Sequence, residues 1–85
     1  MKIYELPAYG DTRKSFYGKA HVVEENGEIK LLSYATFVAK ISNGKFVRLW
    51  DGYSATTMRH VNAFLKFFDM EGGGKKWWSE QEVAV

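Results

Sequence analysis

Apolar and polar residues alternate with a period near two through the middle of the chain, then recur near every 3.6 residues after position 54. The first regime is interrupted twice, at Asn26-Gly27 and Asn43-Gly44. Asn-Gly favours a type I′ turn, which needs positive φ at both central residues. These signals predict three consecutive antiparallel strands, at about Phe16–Glu25, Glu28–Ser42 and Lys45–Trp50, all rich in β-branched and aromatic residues. The middle strand is long, and a bulge is expected near Ser33.

Two-residue turns also set the register. Glu25 should face Glu28, Val22 face Leu31 and Tyr17 face Thr36. Across the second turn, Ser42 should face Lys45, Ile41 face Phe46 and Phe37 face Trp50. One face then carries Phe16, Gly18, Ala20, Val22, Ile29, Leu31, Ala35, Phe37, Ala39, Ile41, Phe46 and Trp50, whose small central members admit a helix closely. The other face carries Tyr17, Lys19, His21, Val23, Leu32, Tyr34, Thr36, Val38, Val47, Leu49, Asp51 and Tyr53.

The 3.6-residue regime predicts a helix over 54–70. Ser54 supplies an N-cap hydroxyl. Met58, Val61, Phe64, Leu65 and Phe68 fall on one face, and Arg59, Asn62, Lys66 and Asp69 on the other. Gly72-Gly73-Gly74 is expected to end it. Residues 1–15 read as an irregular arm with at most one short strand, and 75–85 as a tail returning Trp77 and Trp78. The expected fold is α+β: a three-stranded antiparallel meander on one helix, in a single domain spanning 1–85.

One helix covers only one sheet face. The apolar part of the second face therefore calls for another cover: the Trp tail, the arm, or a second copy in a homodimer. Its cross-strand rows, Lys19–Tyr34–Tyr53 and Tyr17–Thr36–Asp51, resemble platforms on which unstacked bases lie. Tyr and Thr are equally ordinary residues for a half-buried sheet.

Composition narrows the chemistry. Hydrophobic residues make up 46% and charged residues 26%, which argues for a folded chain rather than a disordered one. There is no cysteine, so disulfides and thiolate metal sites are excluded. His21 and His60 lie on different elements without metal-ligand spacing, and neither a metal nor any other cofactor is expected. The amino terminus has no apolar signal core, and the longest uncharged stretch, Leu31 to Ala39, is far too short to cross a membrane. These features read as cytoplasmic. A net charge of +2 with interspersed signs neither demands nor excludes nucleic acid.

Asp51, Ser54, Thr56, Thr57 and His60 are close in sequence, but the hydroxyls fall where helix capping explains them, and no nucleophile elbow is present. Catalysis is therefore not expected. The segment Gly52 to Thr57 would set N–H groups and hydroxyls at a helix start, which suits an anion, with Arg59 and His60 one turn on. An ordinary capped helix has the same sequence. Gly72-Gly73-Gly74-Lys75-Lys76 could grip a phosphate backbone or serve as a connection with solvated lysines. Trp77 and Trp78 read as stacking residues or as a core clasp.

The run Trp50 to Leu65, with its Gly52-Tyr53-Ser54-Ala55-Thr56-Thr57 core and His60, resembles the hallmark of a small uncharacterised family. Ser33 to Ala39 and Gly74 to Trp78 fit the same resemblance, which covers about residues 14–80. Members resemble short proteins of bacterial plasmids, conjugative elements and phages. The resemblance implies an accessory protein of a mobile element and emphasises Tyr53, Ser54, Thr56, Thr57 and His60. It implies no activity.

Together these features point to a non-enzymatic binding module. Nucleic acid is the leading partner, met by Tyr17, Lys19, Tyr34, Tyr53, Ser54, Thr56, Thr57, Arg59, His60, Lys75, Lys76 and Trp78. The alternative is a modulator or inhibitor that binds a host protein.

Overall fold

The computed structural model describes residues 1–7 and 19–84. Their elements run β1 (Lys2–Glu5), β2 (Ala20–Glu25), β3 (Glu28–Ser33), β4 (Thr36–Ser42), β5 (Lys45–Arg48), α1 (Ala55–Phe67) and α2 (Lys75–Glu80). The architecture is α+β, with one antiparallel sheet in the order β1-β2-β3-β4-β5. It has five strands where the sequence pattern predicts three.

Both Asn-Gly turns form as expected. Asn26 and Gly27 sit at φ 54° and 78°, and Asn43 and Gly44 at 54° and 75°. The pairs Glu25–Glu28, Val22–Leu31, Ser42–Lys45 and Ile41–Phe46 match the predicted register.

The long middle strand does not exist as one piece. The chain reverses at Tyr34-Ala35, so Ser33 pairs with Thr36 and Ala20 with Ser33. Tyr34 takes φ 55°, as the first central residue of a primed hairpin turn must. Glycine, asparagine or aspartate normally fills the first position of such a turn, so Tyr34 gives no sequence warning. The expected Tyr17–Thr36 pair is replaced by Ser33–Thr36, and Tyr17 itself lies outside the described residues.

A bulge follows. Leu31 pairs with Ala39 but Leu32 with Phe37, leaving Val38 as the extra residue on β4. Adjacent Val38 and Ala39 are therefore both buried, and Phe37 is pushed outward to 44% exposure. The sequence reading placed Phe37 inward and Val38 outward. One inserted residue exchanges the two faces.

The core lies between the sheet and α1. Val22, Leu31, Ala39 and Ile41 meet Met58, Val61, Phe64 and Leu65, and Leu6 and Trp78 close the ends. Each large side chain buried here contributes about 1.5–3 kcal/mol. Trp78 belongs to this inner layer, so the tail does not cover the second sheet face. Trp77 stacks obliquely on Phe46, with centroids 5.2 Å apart.

The helix starts where expected, Ser54 Oγ accepting from the Thr57 N–H at 3.0 Å. It stops earlier than the glycines. Asp69 adopts φ 61°, its N–H bonds Lys66 O and the Met70 N–H bonds Leu65 O, which forms a Schellman cap. The glycine run instead packs back on α1. A Cβ on Gly72 would collide with Asn62 and Leu65, and Asn62 Nδ2 donates to Gly73 O at 2.9 Å. No helix among the described residues is long and apolar enough to cross a membrane.

Candidate functional site

The motif residues flank the first two turns of α1 and face different ways. Ser54 and Thr57 are turned on each other, with Ser54 Oγ donating to Thr57 Oγ1 at 2.8 Å. Thr57 is buried and Thr56 half-buried. The Thr57 N–H is already capped, so the expected anion cradle at this helix start is partly consumed by its own hydroxyls.

His60 is fully buried, and its Nδ1 lies 2.7 Å from Ser33 Oγ. That bond ties α1 to the last residue of β3 and fixes the imidazole. The ring of Tyr34 rests over it, centroids 5.9 Å apart, with Tyr34 itself 53% exposed. A surface contact by His60 is therefore closed off.

Tyr53 is exposed, and Lys75 Nζ sits 5.3 Å from its ring centre. This contact brings the start of α2 to the start of α1. Lys76 is exposed and Arg59 half-buried on the same helices. Lys19 is exposed, and its carbonyl accepts from the Tyr34 N–H at 2.7 Å. Tyr34 lies at a turn tip leaning towards α1, so the predicted flat row Lys19–Tyr34–Tyr53 is not formed as a strand-to-strand ladder.

Trp78 is 1% exposed and cannot stack on a partner. Its Nε1 donates to Gly52 O at 2.7 Å. Beneath it lies Arg48, a residue the sequence reading passed over. The guanidinium carbon is 4.4 Å from the Trp78 ring centre, and the side chain is 8% exposed. Nε donates to Trp50 O at 2.8 Å, one terminal nitrogen to Trp78 O at 2.9 Å and Gln81 O at 3.4 Å, and the other to Gly52 O at 3.3 Å. Arg48 thereby joins β5, the 50–54 loop and the C-terminal end of α2, whose carbonyls favour a cation. A further tie runs from the Ala84 N–H to Arg48 O. Its position two residues from both Phe46 and Trp50 puts it on the inward parity, a signal the sequence does carry.

The outward sheet face carries Lys30 directly opposite Lys40, on neighbouring strands. Lys40 Nζ bonds Glu28 Oε2 at 2.7 Å. That bond, first, and the charge of both lysines hold the Glu28 carboxyl below the usual range. Lys30 Nζ also lies 5.8 Å from the ring centre of Phe37. At the sheet edge, Tyr4 OH donates to Glu24 at 2.6 Å. Burial, then that bond and the Glu24 charge, push the Tyr4 phenol well above its ordinary value. A groove lined by Met1, Lys2 and residues 24–29 opens at the β2–β3 turn. No group of three or more metal-ligating side chains occurs among the described residues.

No curated protein and no solved structure matches the chain. The model of a family of unknown function, DUF8033, matches residues 4–80, and the chain therefore belongs to that family.

Proposed function

We propose that this chain is a small non-enzymatic binding module whose partner is nucleic acid, acting as a cytoplasmic accessory protein of a mobile element. The observation that carries it is the set of exposed aromatics Tyr34, Phe37 and Tyr53, two of them with a lysine ammonium over the ring. Aromatic faces that stack on bases, with adjacent cations for phosphates, are the chemistry of sequence-tolerant single-strand binding. Ser54, Thr57 and His60 are engaged inside the fold, which leaves the exposed aromatics and lysines as the contact surface. The mobile-element setting rests on the Trp50–Leu65 motif alone. Mobility shift with labelled single- and double-stranded DNA and RNA at low salt tests the reading. Binding should weaken steeply as salt rises. Unchanged mobility with all four probes would end it.

A second reading has its own observation. β1 lies at one end of the sheet order, with Ile3 58% and Met1 84% exposed. Such an edge suits strand addition by a host protein, or by a second copy. Retention of a defined host protein by the tagged chain, lost on Ile3→Lys, would favour this reading over nucleic acid.

A further inference from the structure

We infer that the nucleic acid is single-stranded and lies across the outward sheet face, over Phe37, Lys30 and Lys40; this rests on the proposed binding function and assigns its surface. Lys30 and Lys40 face each other across β3 and β4. Like charges placed directly opposite are unfavourable in a sheet. Glu28 is ion-paired to Lys40 and sits in the field of Lys30 as well. Glu25 stands opposite Glu28 and Lys45 opposite Ser42 on the same face, so Lys30, Lys40 and Lys45 meet two carboxylates, leaving one excess positive charge that a phosphodiester complements.

The bulge at Val38 adds the second element. Without it Phe37 would point into the core; with it the ring stands outward, 44% exposed and next to Lys30. Phe37 has no polar atom, so its exposed ring offers stacking and no hydrogen bond. A base can reach such a ring only when unstacked, which a duplex does not permit without opening. α1 and Trp78 pack on the opposite face, so among these elements none competes for this surface.

Fluorescence anisotropy with a labelled oligothymidine and with a duplex of equal length tests the assignment. Phe37→Ala should raise Kd for the single strand roughly 5- to 150-fold. Lys30→Gln with Lys40→Gln should flatten the slope of log K against log salt by about 1.4, since each single-strand phosphate contact contributes about 0.7. Glu28→Gln should tighten binding. Retained thermal melts show that each variant is folded. Equal affinity for the duplex would overturn the single-strand assignment. Binding lost in Tyr53→Ala and Lys75→Gln but unchanged in the Phe37 and Lys30/Lys40 variants would move the surface to the α1–α2 side and leave the binding function standing. No binding of any oligonucleotide by the wild-type chain would remove both.

Discussion

Replacing Arg48 by Met deletes the guanidinium while keeping an unbranched apolar stem. Two of its bonds are short, at 2.8 and 2.9 Å, and two are long, at 3.3 and 3.4 Å. Hydrogen bonds to a charged group are worth about 1.5–3 kcal/mol each, so the short pair alone represents roughly 3–6 kcal/mol. Two effects oppose that loss. Burying a cation is itself unfavourable, and an apolar replacement recovers part of the penalty. Two of the acceptors also keep another donor: Trp78 O accepts from Gln81 N–H at 3.1 Å, and Gly52 O from Trp78 Nε1 at 2.7 Å. The expected net loss is about 2–4 kcal/mol. For a domain of this size, at about 4–8 °C per kcal/mol, that lowers Tm by roughly 10–30 °C. Urea unfolding followed by far-ultraviolet circular dichroism measures the loss. Tryptophan fluorescence, in parallel, reports whether α2 leaves before the sheet unfolds. Arg48→Lys should lose most of the same stability, because one ammonium cannot reach four acceptors spread over two separate segments. A loss below about 0.5 kcal/mol in Arg48→Met, with unchanged fluorescence, would refute the clasp.

Ser33→Ala leaves the buried His60 Nδ1 without its 2.7 Å partner and should destabilise the fold by about 1–3 kcal/mol in urea titration. Asp69→Gly should stabilise by roughly 1 kcal/mol, because Asp69 holds φ 61° and places a negative charge at a helix C-terminus; a lower Tm would contradict that account. The Tyr4 phenol has a raised pKa in the folded state, so its contribution is complete below about pH 10 and is lost as pH rises towards the folded value. Tyr4→Phe should therefore flatten the alkaline fall in stability, and an unaltered alkaline midpoint would count against the Tyr4–Glu24 bond.

Local chemistry explains which parts of this fold were legible. Asn-Gly can hardly be anything other than a tight reversal here, so both turns and the register beside them follow directly. Ser54 and the spacing of Met58, Val61, Phe64 and Leu65 likewise specify the amphipathic helix. The reversal at Tyr34-Ala35 uses a residue with no turn preference, held by pairing on both sides and by the Tyr34–His60 contact. The Schellman stop at Asp69 was overshadowed by three glycines whose role is close packing. Of the candidate site, the exposure of Tyr34 and Tyr53 and the internal bonding of Ser54 and His60 were within reach. The outward position of Phe37 was not, because a bulge leaves alternation intact on either side while inverting its phase.

The Arg48 clasp also bears on how the chain comes together during synthesis. β3, β4 and β5 each pair with their predecessor through a two-residue turn, so the β2–β5 meander can zip as it emerges. Arg48, however, waits for a carbonyl thirty residues downstream. Without Trp78 over it, the guanidinium would keep its hydration. Closing the clasp therefore requires a dehydration step, in which the indole displaces that water and seals the cation against the carbonyls.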